Sequence, residues 1–287
     1  MTVKGMTAVL RVPRFGDGRI ANRDPYTALL VALASVLVGL ALLGPVIAPY
    51  SPSATNVLEA NVAPSLSHIM GTDSLGRDIF SGILWGARVS FAAALVIVAI
   101  SLTLGTTIAL FSAWIGGRFD LITNGFLNAA LSVPGILVAI IAVTVLGAGF
   151  WTPVLAMAFA SAPYVARVLR SVALQERSKP HIEALILSGI APLRINLHVI
   201  RGILPIILAQ ATFGFGVALL EFGAMSFLGL GVQPPTAEWG AMVVAGRNEL
   251  LAGHMQQTLC AGAMIVISVL VFSLLGERLM RKLEGTA

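Results

Sequence analysis

Charge is what this sequence has least of. Only 11% of its 287 residues are Asp, Glu, Lys or Arg, against roughly 25% in ordinary soluble domains. So few charges cannot build a solvent-facing surface, so much of the chain faces an apolar medium, and lipid is the obvious one. The 57% hydrophobic content and the mean hydropathy of +0.92 agree. Cysteine is nearly missing: Cys260 stands alone inside an apolar run, which excludes an intrachain disulfide and suits a small packing residue. The four histidines, His68, His181, His198 and His254, are scattered without metal-ligand spacing. A membrane-embedded enzyme would need a nucleophile with a base at matching depth. His254 is the only histidine near an apolar span and has no such companion, so no catalytic set is found.

What is there is a series of stretches with little or no charge. A bilayer core of ~30 Å takes about 20 helical residues, and six windows qualify: 27–48, 89–116, 121–146, 151–170, 203–230 and 257–277. The first has an apolar core too long for a signal peptide and no small-residue cleavage site. The uncharged run 121–166 is too long for one helix. Gly147 to Pro153, with helix breakers and the interfacial Trp151, divides it into spans three and four. The reading is an all-α membrane protein with six transmembrane helices: a segment 1–26, a six-span domain 27–278 and a tail 279–287.

The net charge of +5 and pI near 10.0 would suit nucleic acid if the cations were clustered on a domain surface. They lie instead at span ends. With six spans, one side holds Lys4, Arg11, Arg14, Arg19, Arg23, Arg118, Arg167, Arg170, Arg177, Lys179, Arg194, Arg201, Arg278, Arg281 and Lys282; the other holds Arg77, Arg88 and Arg247. Fifteen against three places both termini in the cytosol by the positive-inside rule. It assigns the cations to topology and anionic headgroups, with no nucleic-acid partner.

The cytosolic loop 171–201 is the most informative stretch. Pro180 suits a first helical turn, Ile182, Leu185 and Ile186 share one face, Gly189 suits a helix end and Pro192 a second start. Two short helices joined at a bend are expected. A helix of about eight residues is marginal alone in water, so its apolar face needs a cover. That cover is either the bundle's own inner surface or another protein, and the pattern alone leaves both open.

Glu183-Ala184-Leu185-Ile186-Leu187-Ser188-Gly189 resembles the cytosolic Glu-Ala-Ala loop of ABC importer permeases. Leu185 replaces the family's second alanine, which would make a docking surface bulkier. Arg201-Gly202 stands where the family has Leu-Pro, with Leu204-Pro205 shortly after. The segment His68 to Asp78, containing Gly71-Thr72-Asp73-Ser74-Leu75-Gly76-Arg77-Asp78, is similar to the Gly-Thr-Asp-x-Leu-Gly-Arg-Asp segment of dipeptide and oligopeptide permeases. Ser226 to Pro235, with Trp239-Gly240 after it, is similar to the segment closing their fifth span, and the likeness runs from about residue 25 to 280. The chain resembles the C-type subunit of the permease pair.

The resemblance implies the type I importer architecture and a coupling helix carrying Glu183, Ala184, Leu185, Gly189, Pro192, Leu193 and Arg194 that docks on an ATPase subunit. It further implies a second homologous permease subunit, two cytosolic ATPase domains that bind ATP and Mg, an extracytoplasmic substrate-binding protein, and no cofactor on this chain. Peptides lead as cargo, while relatives of this branch are also associated with nickel, glutathione and haem. The rival is a secondary transporter or channel, in which ion coupling usually leaves paired acids or broken helices at the midplane; the spans show one acid, Glu221.

Gly71 to Asp78 lacks the Gly-Lys-Ser/Thr of a phosphate loop. It reads as a capped turn, with Asp73 or Ser74 as N-cap of the helix entering span two, and contact with an outer partner stays open. Glu221 lies near the outer end of span five. An acid inside a span is a functional candidate by default, for a gating hydrogen bond or for substrate contact. Gly214 and Ala218 form a small-residue face suited to helix packing.

Overall fold

A computed structural model describes residues 25–284. The N-terminal cations from Lys4 to Arg23 and the last three residues of the expected tail lie outside them. The described residues form ten α-helices: α1 (Pro25–Ile47), α2 (Ile79–Ile115), α3 (Gly117–Leu131), α4 (Gly135–Leu146), α5 (Trp151–Arg177), α6 (Pro180–Leu187), α7 (Pro192–Phe227), α8 (Trp239–Ala245), α9 (Arg247–Leu251) and α10 (Gln256–Glu284). One 3-10 turn, Val57–Glu59, precedes α2. The only β pairing among the described residues is an isolated bridge between Thr72 and Asp78.

Five of these helices, α1, α2, α5, α7 and α10, are long and apolar enough to cross a membrane. The pair α3 and α4, bent by 74°, is a broken span or a re-entrant loop, which makes the candidate crossings five or six. The division at Gly147 to Phe150 is observed between α4 and α5. The break at Ser132-Val133-Pro134 was not expected. Proline removes an amide donor and pushes the residue before it out of the helical region, and here the chain turns instead of kinking. The absence of a broken span therefore no longer speaks against a secondary transporter.

Other boundaries also move. α2 starts at Ile79, ten residues before its charge-free window, because Asp78 caps it: its carboxylate accepts from Ser81 N at 2.7 Å. Asp73 and Ser74 are not the cap. The second short helix expected after Gly189 is the start of the 36-residue α7, which carries Pro205 without ending there.

The crossing helices bury a stripe of mixed small and large apolar residues and leave other large apolar groups outward. On α1, Leu30, Ala34, Leu37 and Ala41 are buried while Val36, Leu42 and Val46 are exposed. Lipid offers no hydrophobic drive between helices, so close backbone approach has to supply the packing. At Gly105 of α2 a Cβ would meet Val165 Cγ1 of α5 at 2.6 Å. A main core joins α1, α2, α4, α5, α7, α8 and α10, with Phe91, Phe215, Phe272 and Trp239 in edge and tilted ring contacts. A second core lies at the opposite end, where α6 meets α2, α5 and α7. These are called the α8 end and the α6 end below.

Candidate coupling corner and translocation cavity

At the α6 end, two basic side chains lock the base on which α6 sits. Arg177, closing α5, donates to the carbonyls of Ala113 and Trp114 and stacks over the Trp114 ring at 4.7 Å. A cation at these last carbonyls of α2 also complements the helix dipole. Arg170 of α5 donates to Asp120 of α3 through Nε at 2.6 Å, and Ser112 of α2 donates to the same carboxylate at 2.5 Å. Glu176, almost buried, pairs with Lys179 at 2.6 Å and packs on Gly202, fixing the approach to Pro180.

The expected helix forms with Pro180 in its first turn. It ends in a Schellman motif: Gly189 N donates to Ile186 O at 3.0 Å and Ile190 N to Leu185 O at 3.3 Å. Gly189 has φ +70° with nothing near a Cβ, so a side chain there meets backbone strain, not a clash. Ile182 is fully buried, and Leu185 and Ile190 pack against the same core. One of the two covers left open by the sequence, the bundle's own surface, is observed on this face. The bundle itself covers Ile182 and Leu185, which corrects the expectation that Leu185 enlarges a docking surface.

The opposite face is bare. Glu183, Ala184, Gly189, Pro192, Leu193 and Arg194 are exposed, with Leu187 at 89% and Leu193 at 82%. Among the described residues neither the Glu183 nor the Arg194 side chain has a hydrogen-bond or ion-pair partner. The corner between α6 and α7 therefore offers two bare leucines flanked by one acid and one base. A free acid, a free base and uncovered apolar area together form a surface suited to protein contact.

At the α8 end the motif Gly71 to Asp78 is knitted inward. Asp73 accepts from Leu75 N at 2.9 Å and Arg77 N at 2.8 Å, and pairs with Arg77 Nε at 2.6 Å. Thr72 donates to Glu59 O and accepts from Val62 N. Asp78 also meets His68 Nδ1 at 2.9 Å. Gly76 has φ +70°, and a Cβ there would lie 1.8 Å from Asn56 O. Asp73 and Asp78 are each 4% exposed, so these carboxylates serve the turn.

Beside them lies a residue that sequence reasoning missed. Glu238 is 1% exposed and accepts from Ser90 Oγ at 2.9 Å, Gly240 N at 3.0 Å and Ala241 N at 2.8 Å. It caps α8 and ties it to α2. Burial pushes its carboxyl above the usual range, against the pull of Gly240, Ala241 and Ser90. Trp239 is fully buried and donates through Nε1 to Ile83 O at 2.9 Å. The acid directly before Trp239-Gly240 was the available signal, but α8 has only seven residues and shows no period.

Glu221 belongs to neither set. It lines a cavity of about 370 Å³ between α2, α5, α7 and the break from α3 to α4, where Val133 and Pro134 form part of the wall. Irregular backbone inside a membrane is tolerated where it lines a cavity. Gly214 and Ala218, expected to pack helices, are on this wall as well. So is Gln210, a second missed residue, whose signal was its place three turns before Glu221. No described residue gives the Glu221 carboxylate a hydrogen bond or ion pair. Among the described residues no group of three His, Cys, Asp or Glu is placed to hold a metal ion.

Residues 104–285 match the family described as binding-protein-dependent transport system inner membrane component. The chain is 33% identical over 267 residues to the probable D,D-dipeptide transport system permease protein DdpC of Escherichia coli (strain K12), covering 92% of this chain and 89% of that protein. It is 32% identical over 270 residues to the dipeptide transport system permease protein DppC of Haemophilus influenzae, covering 92% and 90%. To the nickel transport system permease protein NikC of Escherichia coli (strain K12) it is 34% identical over 237 residues, covering 82% and 85%.

Proposed function

The chain belongs to the family of binding-protein-dependent transport system inner membrane components, and from that premise we propose that it forms half of a peptide pathway driven through the α6 corner. As a family member it is a multi-pass permease subunit of the inner membrane of an ABC importer, and not itself an enzyme. Such systems work with a substrate-binding protein and an ATPase. The finer assembly is our reading: a second homologous permease subunit completes the pathway, and two cytosolic ATPase domains bind ATP and Mg. The binding protein delivers cargo at the α8 end. The charge asymmetry supports a cytosolic location for both termini and the α6 end. Peptide cargo follows the names of DdpC and DppC.

The observation that carries the reading is the two-sided corner of α6 and α7. One face is bolted to α2, α5 and α7 through Ile182 and Leu185. The other presents Leu187 and Leu193 bare beside Glu183 and Arg194. A load applied to the bare face is transmitted to α7, which carries Glu221 and the cavity wall. ATP-driven closure of the ATPase domains would thereby reorient the spans. Glu183→Ala and Gly189→Val are expected to abolish uptake of radiolabelled alanyl-alanine and to lower substrate-stimulated ATP hydrolysis, with the chain still inserted. Removing one partner of a buried charge pair costs ~2–5 kcal/mol. Normal uptake by both variants with the ATPases bound would remove the corner from the mechanism.

A further inference from the structure

The cavity beside Glu221 has a chemical bias that coupling leaves unused. Its lining is mostly apolar and contains no Lys, Arg or His. Glu221 faces no cation among the described residues. Gln210, eleven residues earlier on α7, lies about 16 Å away along the axis and close to three turns back, on the same face. It is 3% exposed, and its Oε1 is buried without a hydrogen-bond partner. Roughly 90% or more of buried polar groups are satisfied in folded proteins, so an orphan on a cavity wall points to something that fills the cavity. Tyr164 adds an aromatic ring to the same wall, a surface that attracts cations.

Two acceptors, an aromatic ring and no positive charge make a receptor for a cation. We propose that Glu221 binds the cationic group of the transported solute, with Gln210 as a second acceptor further along α7. This rests on the transport reading above and gives it a substrate class: for peptide cargo the group is the N-terminal ammonium. A cation from the second permease subunit would satisfy the same carboxylate, and the two sources have different consequences. A solute cation makes Glu221 govern apparent affinity for solute. A subunit cation makes it govern assembly.

The test uses the assembled complex with its ATPases and binding protein in vesicles, with radiolabelled alanyl-alanine and Ni²⁺ as separate probes. For whichever probe the wild type carries, Glu221→Gln is expected to raise KM about tenfold, while Glu221→Asp, which keeps the charge, stays within about threefold. Co-purification of the second permease and ATP hydrolysis without solute should not change. Unchanged KM in Glu221→Gln overturns the proposal, and so does loss of the second permease from that variant, which would assign the cation to the subunit. Carriage of Ni²⁺ but not alanyl-alanine contradicts peptide cargo while still testing Glu221. Carriage of neither probe overturns both.

Discussion

The two ends of the bundle carry motifs of similar sharpness in the sequence and use them in opposite ways. At the α8 end Asp73, Asp78 and Glu238 are almost fully buried, and donors within the chain satisfy each of them. At the α6 end Glu183 and Arg194 are exposed without partners, and Leu187 and Leu193 stand bare beside them. A motif whose polar groups are answered internally is explained by the fold. One whose charges and leucines are left open needs a second molecule. Both ends rest on a positive-φ glycine, Gly76 or Gly189, so the glycines alone do not tell the cases apart. Burial and partner counting do.

The comparison predicts that damage at the α8 end is structural and damage at the α6 end is functional. The largest stability effect should come from Trp239→Ala, which empties a fully buried site and removes the indole bond to Ile83 O. Truncating a buried aromatic costs ~3–5 kcal/mol, read as a lower Tm of the purified protein. A Tm unchanged from wild type would mean that α8 is not bolted to α2, and the contrast between the ends would fail.

The smallest stability effect should come from Leu187→Ser, since exposed positions usually change stability by less than about 0.5 kcal/mol. Its Tm should match wild type while uptake of alanyl-alanine falls at least about tenfold, equivalent to ~1.4 kcal/mol of lost contact. A matched Tm with normal uptake would make this leucine an ordinary exposed side chain.

Much of this was legible in the sequence, and the gaps have physical causes. Charge-free windows found the crossings because lipid forbids charge, and Gly147 to Pro153 gave away one break. The break at Val133-Pro134 was hidden because proline in an apolar run can either kink a helix or end it, and composition is the same in both cases. Pro180 and Gly189 bounded α6, since each has a backbone reason to be there. The stripe of Ile182, Leu185 and Ile186 put Ile182 and Leu185 on the covered face, but Ile186 is exposed, because period alone does not set how far round a short helix the cover extends. Asp73 and Ser74 were eligible caps beside Asp78, and only three-dimensional pairing selects among them. Gln210 was passed over as one amide in an apolar span; it gains meaning only from the cavity it shares with Glu221.

The most direct measurement is photo-crosslinking from a benzoylphenylalanine placed singly at Leu187, Leu193 or Leu185 in the assembled complex. Positions 187 and 193 should crosslink to the ATPase subunit, with a yield that changes on ATP binding. Position 185, turned into the bundle, should give no intersubunit product. Equal crosslinking from 185 and 187, or none to the ATPase from 187 and 193, would contradict a corner that faces the bundle on one side and the ATPase on the other.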